Sequence, residues 1–322
     1  MVLTNACNLR CISCWSYSPL LNGGTPDTSW KRRMLPQEMH DALIDDVASL
    51  GTRRVTYSGG GDPLACSYAV QAMATAKRKG LKVTLISNLS LVKDGGSFLD
   101  IGIDTVLANC SAGDSATYMA FHPGCSANDF ERMTEILRAL VKRRTTVTLV
   151  CVVCAVNVNG LMAVVHYAAD IGARIQWKLM SATNGTERIA LTDAQHEHVR
   201  KTLPQLRLEC SNAGVVSNID DFERSLQGTS LRLPIEDIGC HVGDHYARID
   251  ADGTVRYCCN PNVALVTGSL HNASFTEIWC GQRWAALRQQ LSTNGFVSGC
   301  ERCGKFGLNL ELAMKKGRAD GL

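Results

Sequence analysis

The chain opens on three cysteines, Cys7, Cys11 and Cys14, spaced C-x3-C-x2-C within Cys7-Asn8-Leu9-Arg10-Cys11-Ile12-Ser13-Cys14-Trp15. Three thiolates this close together suit a soft metal centre. An ordinary iron–sulfur cluster takes four thiolates, so a set of three leaves one iron open to a small chelating ligand. A structural zinc site is the plain alternative. Zinc, however, takes a fourth ligand at regular spacing, and no His or Cys occurs in the next twenty residues.

A second group lies near the other end: Cys240, the adjacent pair Cys258-Cys259, and the C-x2-C of Cys300 and Cys303. Apolar residues alternate on either side of Ala251-Asp252-Gly253, which predicts a β-hairpin returning Cys258 towards Cys240. Two cysteines at the hairpin base and a C-x2-C knuckle make a four-thiolate site, which zinc fits as well as iron. Side chains alternate along a strand, so Cys258 and Cys259 are expected to point apart, one as ligand. The other is either a small buried hydrophobe or a hydrogen-atom donor. Cys66, Cys110, Cys125, Cys151, Cys154, Cys210 and Cys280 are assigned to core or surface packing.

The 322 residues suffice for one large and one smaller domain. A net charge of +3 without a long basic block does not suggest nucleic acid as a principal partner. Fifteen cysteines, an odd number in triplet and pair spacings, argue for metal ligands in a reducing cytoplasm rather than disulfides. No signal peptide is expected before Cys7, and the apolar stretch from Val147 to Val165 is interrupted by Asn157, Asn159 and Gly160. A membrane partner is therefore not expected.

The elements that must position these thiols alternate. With Val2-Leu3 as a short first strand, further strands are predicted over 53–57, 81–86, 105–109, 145–155 and 174–180. Helices are predicted over 35–50, 69–79, 91–99, 130–142, 161–170 and 193–203, with one more from Ser274 to Leu291. Six alternations imply an α/β fold with a parallel sheet and right-handed crossovers. Functional residues are then expected at the carboxyl ends of the strands. Those ends carry Ser58-Gly59-Gly60-Gly61-Asp62-Pro63, Ser87-Asn88, Asn109, Asn157 and Lys178.

The Cys-Asn-Leu-Arg-Cys context of C-x3-C-x2-C resembles the radical S-adenosylmethionine (SAM) enzymes, with Ser13 where an aromatic residue is usual. The resemblance implies a partial (β/α)6 barrel. It also implies that Gly60, Gly61 and Asp62 (in place of the usual Glu) hold the methionine end of the cofactor, with Ser87, Asn88 and Asn109 as further contacts. Asp-Gly-x-Val-x-x-Cys, then Ser274-Phe275-Thr276-Glu277-Ile278-Trp279, then C-x2-C, resembles the SPASM/Twitch auxiliary-cluster domain. On that likeness Cys240, Cys258, Cys300 and Cys303 hold a second 4Fe–4S cluster and leave Cys259 over. The implied domains are residues 1–214 and 215–322.

The resemblance further implies hydrogen-atom abstraction from a carbon by a 5′-deoxyadenosyl radical, with a flavodoxin or ferredoxin as electron donor. Without a second auxiliary cluster, a small sugar or cyclitol substrate is expected, as in aminoglycoside antibiotic biosynthesis. Two outcomes are open: epimerisation with Cys259 as hydrogen donor, as in the neomycin-type aminoglycoside epimerases, or dehydrogenation with the auxiliary cluster as electron acceptor. A metal-bearing binding module without turnover is the non-enzymatic reading. Asp220, Asp221, Glu223, Glu236 and Asp237 are the carboxylates available to a polyamine substrate.

Overall fold

The computed structural model describes the chain except residues 94, 183, 228–237, 261–262, 264, 294, 301–302, 304–305 and 316–322. Its elements in chain order are α1 (Thr28–Lys31), α2 (Gln37–Ser49), β1 (Arg54–Tyr57), α3 (Ala69–Arg78), β2 (Lys82–Ser87), α4 (Gly95–Asp100) and β3 (Thr105–Asn109). There follow α5 (Ser115–Phe121), α6 (Ala127–Lys142), β4 (Thr146–Val153), α7 (Leu161–Ile171), β5 (Arg174–Leu179), α8 (Asp193–Asn212) and α9 (Ile219–Leu226). The chain continues with β6 (Arg248–Ile249), β7 (Thr254–Arg256), β8 (Val266–Ser269), α10 (Phe275–Cys280), α11 (Gln282–Thr293) and α12 (Phe306–Lys315).

These fall into two compact units. One comprises residues 3–34 and 53–230; the other comprises 1–2, 35–52 and 231–322. The larger unit is built on β1 to β5, all parallel and hydrogen-bonded in sequential order. This is the parallel α/β sheet that the alternation implies, in the partial-barrel form that the resemblance implies. Its carboxyl edge carries Tyr57, Ser87, Asn109, Val153 and Leu179. The strands are rich in buried Val, Leu and Ile, as a covered parallel sheet requires. Helix α6 shows why the crossovers pack: Phe130, Met133, Leu137 and Leu140 form one apolar stripe, opened by a Ser126/Asp129 capping box.

The expected first strand at Val2-Leu3 is not part of this sheet. Thr4 makes an isolated antiparallel bridge with Met34, and Val2 N–H donates to the Ile249 carbonyl in the smaller unit. At the far edge a parallel bridge joins Ile175 to Ser217, so the chain after α8 supplies a short sixth rung.

The smaller unit holds the three-stranded antiparallel sheet β6-β7-β8, one strand more than the predicted hairpin. The single helix expected from Ser274 is two, because Gly281 has extended backbone and separates α10 from α11. Helix α2 belongs to this unit: Asp46 Oδ2 accepts N–H from Phe275 at 2.8 Å, capping α10 across 229 residues of sequence. Among the described residues no helix is long and apolar enough to cross a membrane.

Candidate iron–sulfur and cofactor site

The N-terminal cysteine loop is held by backbone contacts that leave its sulfurs facing inwards. Ile12 N–H donates to the Phe121 carbonyl at 3.1 Å, Cys14 N–H to the Cys11 carbonyl at 3.0 Å, and Ser18 Oγ to the Ile12 carbonyl at 2.6 Å. Tyr17 OH reaches back to the Asn5 carbonyl at 2.6 Å. So fixed, Cys7, Cys11 and Cys14 pack into one apolar lining with Leu9, Ile12, Phe121, Cys154 and Met180. Cys125 joins the same lining, so two thiols that spacing had assigned to packing stand beside the triplet.

The triplet is electrostatically coupled. Burial, then the neighbouring thiols, push Cys11 far up, and burial lifts Cys7 to about 11. A proton holds such sulfurs unless a metal replaces it. Donors nevertheless aim at them: Tyr17 N–H lies 3.2 Å from Cys14 Sγ, His122 Nδ1 3.0 Å from Cys11 Sγ, and Asn109 Nδ2 3.9 Å from Cys11 Sγ. His122 is fully buried; in the sequence it stands out only within His122-Pro123-Gly124 after the Asn109 strand, a stretch that resembles the family but gives the histidine no partner.

The glycines after β1 serve the cysteine loop directly. A Cβ on Gly61 would stand 1.9 Å from the Ala6 carbonyl oxygen, and one on Gly60 2.6 Å from Asn5 Oδ1. Asp62 N–H donates to that same Ala6 carbonyl at 2.9 Å. The Asp62 carboxylate is buried and already accepts from Leu64 N–H, Ser87 Oγ and Asn88 N–H, each at 2.8–2.9 Å. Burial raises its pKa although those donors work in the other direction. The Asn88 side chain in turn donates to Asn8 Oδ1 at 3.2 Å. Gly60, Gly61, Asp62, Ser87 and Asn88 are thus brought together as a brace behind the cysteines. Beside Cys7 and Asn8 a cleft of about 660 Å³ opens, lined also by Leu64, Cys66, Val92 and Phe98.

Two other strand-end residues differ in their surroundings. Asn157 is buried and joins strand ends: it accepts from Cys154 N–H and donates to the Ser111 and Val152 carbonyls at 2.8–2.9 Å. Lys178 is exposed. The acidic residues of the 205–235 stretch do not form a free cluster. Arg207 pairs with Asp220 and Glu223, and Arg224 with Asp221, all on the solvent side. Glu236 and Asp237 lie outside the described residues.

In the smaller unit Cys240, Cys300 and Cys303 pack together around Ile238 and Ala313. Cys240 is pushed up to about 11, by burial first and by the nearby Cys303 and Cys300 thiols. Cys258 is raised by its hydrogen bond to Cys259, by burial and by the charge of Cys240, so all four predicted ligands share one neighbourhood. Strand alternation does not separate Cys258 from Cys259. β7 ends at Arg256, and the two thiols, lying in a bend, hydrogen-bond each other. The Tyr246 hydroxyl also hydrogen-bonds the Cys259 thiol. Asn309, which the sequence did not single out, fixes the loop: it accepts from His241 N–H at 2.6 Å and donates to the Gly239 carbonyl.

Among the described residues no three His, Cys, Asp or Glu side chains form a set for a single metal ion. A four-iron cluster takes each thiolate on a different iron and does not require such convergence. Two thiol groups packed on apolar linings, the first with donors aimed at its sulfurs, fit clusters of that kind.

Residues 240–304 match an iron–sulfur cluster-binding domain, SPASM. The chain is similar in fold to native anSMEcpe with bound AdoMet, at 15% identity and a TM-score of 0.65, covering 95% of this chain and 86% of that one. It is likewise similar to Streptococcus suis SuiB bound to S-adenosylmethionine, at 15% identity and a TM-score of 0.64, covering 94% and 69%. A 90-residue stretch is 29% identical to the Fe-coproporphyrin III synthase of Methanosarcina barkeri, spanning 28% of this chain and only 20% of that relative. Residues 1–167, just over half of the chain, match the radical SAM superfamily, and to that superfamily of 4Fe–4S, S-adenosylmethionine-using enzymes the protein belongs.

Proposed function

We propose that Cys7, Cys11 and Cys14 ligate the cluster at which S-adenosylmethionine binds, and that Cys240, Cys258, Cys300 and Cys303 ligate an auxiliary 4Fe–4S cluster. The functional division is residues 1–214 for the first and 215–322 for the second. Bound there and reduced by one electron, S-adenosylmethionine supplies a 5′-deoxyadenosyl radical that takes a hydrogen atom from an unactivated carbon. The substrate in this reading is a small sugar or cyclitol, and the reaction a redox-neutral epimerisation. Cys259 gives its S–H hydrogen to the substrate carbon radical, which breaks the S–H bond, forms a C–H bond and leaves a thiyl. An electron from the flavodoxin- or ferredoxin-type reductant and a proton from solvent restore the thiol.

The observation that carries this reading is the thiol pair. Cys258 neighbours Cys240, while Cys259 is left over, half-buried and hydrogen-bonded to Tyr246. One feature favours the dehydrogenase alternative: Cys259 is held between two partners, as a purely packing thiol would be. In that case the cluster that Cys240, Cys258, Cys300 and Cys303 would hold would serve as acceptor for the substrate radical's electron, the proton would pass to solvent, and the product would be a carbonyl compound.

Turnover in deuterium oxide separates the two. Epimerisation places solvent deuterium at the inverted carbon, and Cys259→Ala still forms 5′-deoxyadenosine but no inverted product. An oxidised product, with normal turnover of a Cys259→Ala protein that retains its full iron, overturns the epimerase reading.

A further inference from the structure

The C-terminal end of α5 delivers one side chain to the cysteine loop. His122 leaves the helix with φ −121° and ψ 77°, its N–H still bonded to the Tyr118 carbonyl at 2.9 Å. Its neighbour Phe121 accepts from Ile12 N–H at 3.1 Å, which ties the helix end to the cysteine loop next to the ring. The imidazole is packed between Tyr118 and Phe121, with ring centroids at 4.5 and 5.2 Å, and is fully buried. Nδ1 stands 3.0 Å from Cys11 Sγ, whereas Nε2 has no hydrogen-bond partner among the described residues.

That asymmetry fixes the tautomer. A buried N–H without an acceptor is costly, whereas a lone pair without a donor is the milder orphan. The single proton of a neutral ring therefore belongs on Nδ1. A thiolate ligand has no proton of its own, so the hydrogen bond can run only from His122 to sulfur. We propose that His122 is a positioning residue for the N-terminal cluster, donating a hydrogen bond from Nδ1 to the Cys11 ligand sulfur and raising the cluster's reduction potential. The inference rests on the reading of Cys11 as a ligand. The physical basis is that one-electron reduction adds negative charge to the cluster and its sulfurs, and a fixed donor stabilises the reduced state more than the oxidised one. Asn109, at 3.9 Å from the same sulfur, is the weaker second donor.

The test is a redox titration of the reconstituted full-length protein, followed by electron paramagnetic resonance of the signal that added S-adenosylmethionine perturbs. His122→Phe keeps the ring and removes the donor. It should make the midpoint more negative, shifting the oxidised-to-reduced ratio at fixed potential about tenfold, or ~59 mV for a one-electron couple. His122→Asn places an amide N–H near the position of Nδ1 and should recover most of the shift. Wild-type protein labelled with 15N-histidine should show one histidine nitrogen coupled to the reduced cluster; this arm does not depend on the folding of a variant. An unchanged midpoint in His122→Phe with full iron, or no histidine coupling in the wild type, overturns the inference while leaving the ligand reading intact. Full iron in Cys11→Ala overturns the ligand reading and the inference together.

Discussion

The Gly61 Cα lies so close to Ala6 that a Cβ on it would stand 1.9 Å from the Ala6 carbonyl oxygen, nearer than any two such atoms approach. The glycine turn after β1 and the residue before Cys7 are therefore one packed unit. Its tightness is set by backbone meeting backbone, with no flexible side chain able to yield.

It follows that Gly61→Ala should do more than weaken S-adenosylmethionine binding. It should displace the cysteine loop, lower the iron content towards half and destabilise the larger unit by about 1–3 kcal/mol, the usual range for overpacking. Iron per chain and the thermal midpoint check this. Full iron with only a loss of cofactor affinity would show that the loop yields and that the turn acts on the cofactor alone.

Iron content should divide by site. Reconstituted protein should carry two 4Fe–4S clusters, and replacing Cys7, Cys11 and Cys14 together by Ala should remove half the iron and all cleavage of S-adenosylmethionine. Cys300→Ala with Cys303→Ala should remove the other half. Elemental analysis checks both, and zinc in place of iron at the second site would contradict the assignment.

Asn157→Leu should cost stability and leave cofactor affinity in folded protein unchanged. The Asn157 side chain satisfies Cys154 N–H and the Ser111 and Val152 carbonyls where β4 ends. Leucine strands buried polar groups whose desolvation costs about 1–3 kcal/mol apiece. Urea unfolding should show a loss of at least ~2 kcal/mol.

His40 makes the smaller unit acid-sensitive. It is fully buried on α2, and burial holds its pKa below 6.5, against the opposing pull of Asp41. A depressed folded pKa means that the unfolded chain binds the proton more readily. The stabilisation is present in full above about pH 6.5 and is lost as pH falls towards the folded value. The thermal midpoint should therefore drop from pH 7 to pH 5, with a slope of at most ~1.4 kcal/mol per pH unit from this group. His40→Phe should flatten that part of the profile, and an unchanged profile would contradict the assignment.

The grouping of the cysteines was legible in the sequence because their spacing alone brings Cys7, Cys11 and Cys14 into one loop, and no tertiary information is needed to see it. Asp62 shows where legibility ends. A carboxylate after a strand reads as a ligand contact, but its donors Ser87 and Asn88 come from the next strand, and only the sheet register brings them to it. Cys258 and Cys259 illustrate a second limit: alternation holds only while the strand lasts, and β7 stops at Arg256. His122 is the third. A histidine in a His-Pro-Gly turn has no periodic signature, and its reach to Cys11 depends on where α5 ends. Helix α5 is itself not among the helices that the sequence predicts, although Asp114 caps it by accepting from Thr117 N–H at 2.8 Å.

The Asp46–Phe275 contact bears on how the protein is made. Helix α2 emerges early from the ribosome, yet the α10 end it caps follows 229 residues later. At about 5–20 residues per second, the wait is on the order of 10–50 s. Throughout that interval Leu43, Ile44 and Val47, which the finished unit buries, lack their C-terminal neighbours. The nascent chain therefore passes through a stage in which the barrel strands are complete and an apolar helix face is still uncovered. In that window chaperone capture competes with aggregation, and a chain truncated before Phe275 never leaves it.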